Sequence, residues 1–168
     1  MNEEKELGFQ IYLDLDGVFA DFDGGFKKIT GHLPKEVSKK VLWSSIYKAD
    51  HFFFNLEVVP ESKELWDHVK KTNPKFLTGL PSSVEGRDDK VRWVHTHYGK
   101  EYEVIVLPKK DKRKYAAPNA ILIDDRHDNI SEWKADGGIG IYHKDGTNFD
   151  STIAELKSIL KEKFDYVL

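Results

Sequence analysis

Short apolar runs closed by turn residues recur along this chain, and stretches with apolar positions three or four residues apart separate them. Residues 9–15 (FQIYLDL) are β-rich and run into an Asp-Gly turn, which predicts a first strand ending at Asp14-Leu15-Asp16-Gly17. Residues 75–77 or 75–78 follow the breaker Asn73-Pro74 and end in Gly79-Leu80-Pro81. Residues 103–107, 120–123 and 139–142 complete the set, each bounded by Pro, Gly or Asp. Within these runs the apolar residues are consecutive, the pattern of strands covered on both faces. Helical spacing marks residues 61–71 (Leu65, Trp66, Val69), 88–98 (Val91, Val94, Tyr98) and 151–164 (Ile153, Leu156, Ile159, Leu160). Strands alternating with helices predict an α/β fold with a doubly wound parallel sheet, whose ligands sit beyond the carboxyl ends of the strands.

One interval departs from the alternation. Between residues 20 and about 60 no strand pattern occurs. Two helices are expected at 22–29 and 34–47, ahead of the run Phe52-Phe53-Phe54. This reads as a small helical cap inserted after the first strand of a single domain spanning residues 1–168.

Charge and composition narrow the partners. With 26 basic and 29 acidic residues the net charge is -3, so no global field draws the protein to a nucleic-acid polymer or an anionic membrane, and any phosphate must be held locally. The absence of cysteine excludes a disulfide framework, a thiolate metal site and a cysteine nucleophile. The opening MNEEKELGFQ does not read as a signal peptide, and a cytoplasmic location is expected. A homodimer is left open.

The chemistry is concentrated at strand ends. Asp14 and Asp16 follow the first strand, Thr78 the second, a basic run from Lys109 to Lys114 the third, and Asp124 with Asp125 the fourth. A parallel sheet brings these ends to one edge, where clustered carboxylates need a cation among them; oxygen ligands alone select Mg²⁺ over Zn²⁺. Asp14, Asp16, Asp124 and Asp125 are the expected metal residues, Asp16 through its backbone carbonyl. Such a site suits phosphoryl transfer, with Asp14 as nucleophile and Asp16 protonating the leaving oxygen and then deprotonating water. The Thr78 hydroxyl and the Gly79 N–H would meet phosphate oxygens, and a lysine would supply fixed positive charge.

DLDGV at 14–18, Thr78 at a strand end, a downstream lysine and IDD at 123–125 resemble the motifs of haloacid-dehalogenase-like phosphatases in the same chain order. DLDGVFADFDGGF at 14–26, KVRWV at 90–94 and LIDDR at 122–126 are further similar to the 5'(3')-deoxyribonucleotidase family. The resemblance implies a nucleoside monophosphate as substrate, its base stacked on cap aromatics with Phe22 at its border, and Lys90 and Gly79 on the phosphate. It also implies an Asp-Lys pair ahead of IDD. Here the run reads Asp111-Lys112-Arg113-Lys114, so either Lys112 or Lys114 could be that lysine, and Lys112 is favoured because it keeps the preceding Asp.

Plainer readings compete. A lone Asp-X-Asp-Gly is ordinarily a solvated turn, a lysine on an amphipathic helix ordinarily faces water, and Phe22, Trp43 and residues 52–54 are more often core than stacking platform. Other functions on related chemistry are a phosphatase of sugar phosphates or other small esters, a signalling receiver, and a non-catalytic phosphate-binding module. The order of the acidic motifs along the chain argues against the receiver.

Overall fold

The computed structural model describes residues 6–168; residues 1–5, part of the acidic opening stretch, lie outside it. The apolar runs form five strands: β1 (Gln10–Leu13), β2 (Lys75–Gly79), β3 (Val104–Leu107), β4 (Ala120–Asp124) and β5 (Ile139–Tyr142). They make one parallel sheet in the order β3-β2-β1-β4-β5. The chain therefore steps outward from the centre through β2 to β3, then returns to the other side of β1. That reversal opens a crevice at the carboxyl ends of β1 and β4, the place where doubly wound sheets hold ligands. A receiver of the flavodoxin-like kind has the order 2-1-3-4-5, so the receiver alternative does not fit this topology.

Six α-helices accompany the strands: α1 (Phe22–Thr30), α2 (Lys39–Lys48), α3 (Ser62–Val69), α4 (Val84–His97), α5 (His127–Ala135) and α6 (Asp150–Phe164). Alternation along each strand sends neighbouring side chains to opposite faces. Ile11, Leu13, Phe76, Ile121 and Ile123 join the larger core with Trp66, Trp93 and Leu156 from α3, α4 and α6. Tyr12, Leu77 and Leu122 face the other way, where Ile130 and Trp133 of α5 close the smaller core. Burial of whole aromatic side chains contributes on the order of 2–3 kcal/mol each, so Trp93 and Trp133, each with its indole N–H on a backbone carbonyl, are strong anchors of the two layers.

The differences from the sequence expectation have local causes. The helix expected over 34–47 is broken: a short turn at Pro34–Glu36 is followed by extended backbone, and the Ser38 hydroxyl accepts the Val41 N–H to start α2 afresh. α4 begins four residues before the expected 88 because Ser83 caps Gly86. α5 carries too few apolar positions to reveal its period and is absent from the sequence reading. Among the described residues no helix is long and apolar enough to cross a membrane.

Candidate active site

Register places the first two site residues side by side. Leu13 pairs with Ile123 across β1 and β4, and the Asp14 N–H donates to the Ile123 carbonyl at 2.9 Å, so Asp14 and Asp124 leave the sheet together. Gly17 closes the turn after β1 with φ +83°, and a Cβ there would meet Asp125 Oδ2 at 2.1 Å. Only glycine lets the Asp-X-Asp-Gly loop and the Asp125 carboxylate occupy the same corner.

Oxygen atoms from Asp14, Asp124 and Asp125 all lie within 4.8 Å of one another. Lys112 reaches them from the helical turn after β3, its Nζ donating to Asp14 Oδ1 at 2.9 Å and to Asp124 Oδ2 at 3.0 Å. Burial pulls the Lys112 ammonium down, but the two carboxylates outweigh it and hold the group above its ordinary value. Burial, reinforced by Asp124 and only partly offset by Lys112, pushes Asp14 up to about 6. Asp125, half-buried and paired with the Asp14 carboxyl, is pushed up to about 9 by desolvation and by Asp14.

A second group adjoins the first. Lys90 of α4 points inward and is buried, its Nζ donating to Asp16 Oδ2 at 2.8 Å, to Thr78 Oγ1 at 3.1 Å and to the Gly79 carbonyl at 2.9 Å. Its Nζ also stands 4.8 Å from the centre of the Phe53 ring. The Asp16 carboxylate is thus turned to Lys90 and is not one of the three converging carboxylates.

Both groups face one cavity of about 390 Å³, whose far wall comes from the 20–60 segment, including Phe22, Trp43 and Phe53. Phe22 packs against Phe52 edge to face, Trp43 stacks on Tyr47 and stays 36% exposed, and the Arg92 guanidinium covers Phe54. Phe52 is core. Of the residues singled out in the sequence, Asp14, Asp16, Thr78, Gly79, Lys90, Lys112, Asp125 and Phe22 line the cavity. Asp124 lies fully buried beneath it, tied to the wall residues Lys112 and Asn129. Lys114 is the correction. Its side chain is 72% exposed and pairs with Asp111 at 3.1 Å, because one helical turn cannot aim residues 112 and 114 the same way.

The donor set fits a hard divalent cation. Three carboxylates face one ammonium, all ligand atoms are oxygens, and two buried acceptors, Asp16 Oδ1 and Asn129 Oδ1, have no hydrogen-bond partner. An excess of buried acceptors over donors is what a cation and its donor waters would relieve.

The fold has parallels among solved structures. A haloacid-dehalogenase-like hydrolase from Xanthomonas campestris overlays with a TM-score of 0.52 at 12% identity, covering 84% of each chain. A hydrolase from Pseudomonas syringae gives 0.51 at 10% identity, over 88% of this chain and 99% of the other. The fold is that of the haloacid-dehalogenase-like superfamily. Another structure with this fold, an enzyme from Bacteroides thetaiotaomicron solved with magnesium and inorganic phosphate, gives a TM-score of 0.50 at 12% identity, over 86% of this chain and 98% of the other. In sequence the chain is 26% identical to the mitochondrial 5'(3')-deoxyribonucleotidases of Mus musculus and Homo sapiens, over 147 aligned positions covering 71% of this chain. It spans 65% and 63% of the length of those two relatives. No protein-family model matches the chain.

Sequence reasoning passed over several cavity residues. Asn129 and Arg126 open α5, whose short period hid them; the signal available was their place directly after the Asp124-Asp125 strand end. Asp23 of α1 and Asp145 after β5 also line the cavity and are hydrogen bonded to each other. Burial and the Asp145 carboxyl push Asp23 up. They are far apart in the chain, and nothing local announces their meeting.

Proposed function

We infer that this protein is a phosphomonoesterase of nucleoside monophosphates that uses Asp14 as nucleophile and Mg²⁺ as cofactor. The observation that carries the reading is the Lys112 ammonium joining Asp14 and Asp124 at the point where three carboxylates converge, directly beside the Asp16, Lys90 and Thr78 group. Asp14, Asp124, Asp125 and the Asp16 carbonyl would hold the cation. When bound, it supplies charge neutralisation for the phosphoryl oxygens approaching the carboxylates.

The chain's own residues account for the rest. A phosphate entering the cavity gives Lys90 an anion to hold in place of Asp16, and the Thr78 hydroxyl and the Gly79 N–H donate to its oxygens. An Asp14 oxygen bonds to phosphorus as the bond from phosphorus to the leaving alcohol breaks, and Asp16, freed from Lys90 and having taken up a proton from solvent, gives that proton to the alcohol. Water then attacks the aspartyl-phosphate, Asp16 takes its proton, and the bond from phosphorus to Asp14 breaks to release inorganic phosphate. Segment 20–60 acts as the cap. Its flat rings, Phe22 and Trp43, support a base as the leaving part, in keeping with the deoxyribonucleotidase relatives.

A second reading has its own support. Asp23 and Asp145 would accept hydrogen bonds from hydroxyls, so sugar phosphates are the alternative substrates. Phosphate release from deoxy- and ribonucleoside monophosphates and sugar phosphates, with Mg²⁺ and with a chelator, separates the two. Mg²⁺-dependent release concentrated on nucleotides supports the first reading. Release concentrated on sugar phosphates replaces it with the second, and Mg²⁺-independent release contradicts both.

A further inference from the structure

Asp124 is the most deeply placed member of the carboxylate cluster, fully buried, and its hydrogen bonds can be counted. Two carboxylate oxygens offer about four lone pairs in all. Oδ2 accepts from Lys112 Nζ at 3.0 Å and from Asn129 Nδ2 at 3.0 Å, so both of its lone pairs are engaged. Oδ1 accepts from the Arg126 backbone N–H at 3.0 Å, which leaves one lone pair of the carboxylate uncommitted.

Asn129 decides which oxygen that is. It sits in the first turn of α5, its own N–H bonded to Asp128 Oδ1, and its side chain is wedged at 5% exposure between Asp124 and the cavity. Two acceptors cannot face each other across 3.0 Å, so the amide nitrogen must meet Asp124 and the amide oxygen must point away from it. That oxygen is buried and has no hydrogen-bond partner among the described residues. A residue kept only for packing would not leave an acceptor orphaned at a carboxylate cluster, because an apolar side chain of the same shape would avoid the desolvation penalty.

The geometry points to Asn129 as a positioning residue for cation binding: its amide holds Asp124 with Oδ2 fully engaged so that Oδ1 alone keeps a lone pair for the cation, and its free carbonyl accepts from a donor that arrives with the hydrated cation. This rests on the reading of the cluster as a divalent-cation site. Partners that orient metal ligands in this way are worth tenfold to a hundredfold in affinity when removed.

The test is Mg²⁺ binding measured by titration calorimetry on the full chain and on Asn129→Leu, together with the melting temperature of each in chelator. Asn129→Leu should bind Mg²⁺ about tenfold or more weakly, a loss beyond any change in its chelator melting temperature, which reads separately the hydrogen bond that Asp124 loses. Asn129→Ala, which introduces no bulk, should show the same loss of affinity even if the leucine variant folds poorly. Unchanged Mg²⁺ affinity in both variants, with a lower melting temperature in chelator, would make Asn129 a packing residue and overturn the inference. A parent chain that binds no Mg²⁺ at all would instead remove the cation reading itself, and this inference with it.

Discussion

The sheet edge and the 20–60 segment build the same cavity by opposite means. At the edge the buried charged side chains are held in hydrogen-bonded groups: Lys112 by Asp14 and Asp124, Asp124 also by the Asn129 amide and the Arg126 backbone N–H, and Lys90 by Asp16 and Thr78. Each is delivered by a strand end or by a helix packed on the sheet. Segment 20–60 instead leaves Ile29, Val41, Trp43 and Tyr47 exposed, and α2 buries only Ile46. It still sends Phe26, Ile46, Phe52, Phe53 and Leu56 into the larger core, and it is held further by the Trp93 indole on the Leu56 carbonyl and by His51 on the buried Asp89 carboxylate. Chemistry that tolerates little misplacement sits where charged groups hold one another, and the surface offered to the variable part of a substrate sits where apolar side chains are left exposed.

That contrast can be broken at either side. The largest effect should come from Asp14→Asn, because an amide is a poor nucleophile: turnover should fall roughly 10⁴-fold or more with the fold intact, read by phosphate release and circular dichroism. Lys112→Met should act on stability as well as rate. It leaves Asp14 and Asp124 buried without their cation, a loss of about 3–5 kcal/mol, read by denaturant unfolding in chelator at pH 8.

The pH dependence follows from the raised carboxylates. Asp14 and Asp125 sit at about 6 and about 9 in the folded, ion-free chain, above the ordinary carboxylate value, so the folded state binds more protons than the unfolded state in between. Stability in chelator should therefore fall as pH rises from about 4 through 9. Added Mg²⁺ should raise the melting temperature more at pH 8.5 than at pH 5.5; an equal gain at both would contradict the assignment of these carboxylates to the cation. The smallest effect should come from the other region. Trp43→Ala should raise KM for nucleotides several-fold, by about 1 kcal/mol of lost stacking, and leave both a small aryl phosphate and the melting temperature nearly unchanged.

The same contrast explains what the sequence disclosed. Asp14, Thr78 and Asp124 stand out because a polar residue closing an apolar strand has few structural reasons to be there, and parallel topology alone gathers them. The choice between Lys112 and Lys114 needed the path of the turn after β3, which composition does not encode. Lys90 on a charged helix reads as solvent-facing until the helix is placed, and Asn129 lies in a helix with only Ile130 and Trp133 as buried apolar positions. Around the cavity wall the limit is tertiary: Asp23 and Asp145 meet only once α1 and the loop after β5 have packed.

The central claim is that Asp14 carries the phosphoryl group. Mixing the protein with a nucleoside monophosphate and Mg²⁺, quenching in acid within the first turnover and mapping the mass of its peptides tests it most directly. One phosphoryl adduct is expected, on the peptide containing Asp14, absent from Asp14→Asn and from samples quenched after the substrate is exhausted. An adduct on any other residue, or turnover by Asp14→Asn near the parent rate, would contradict it.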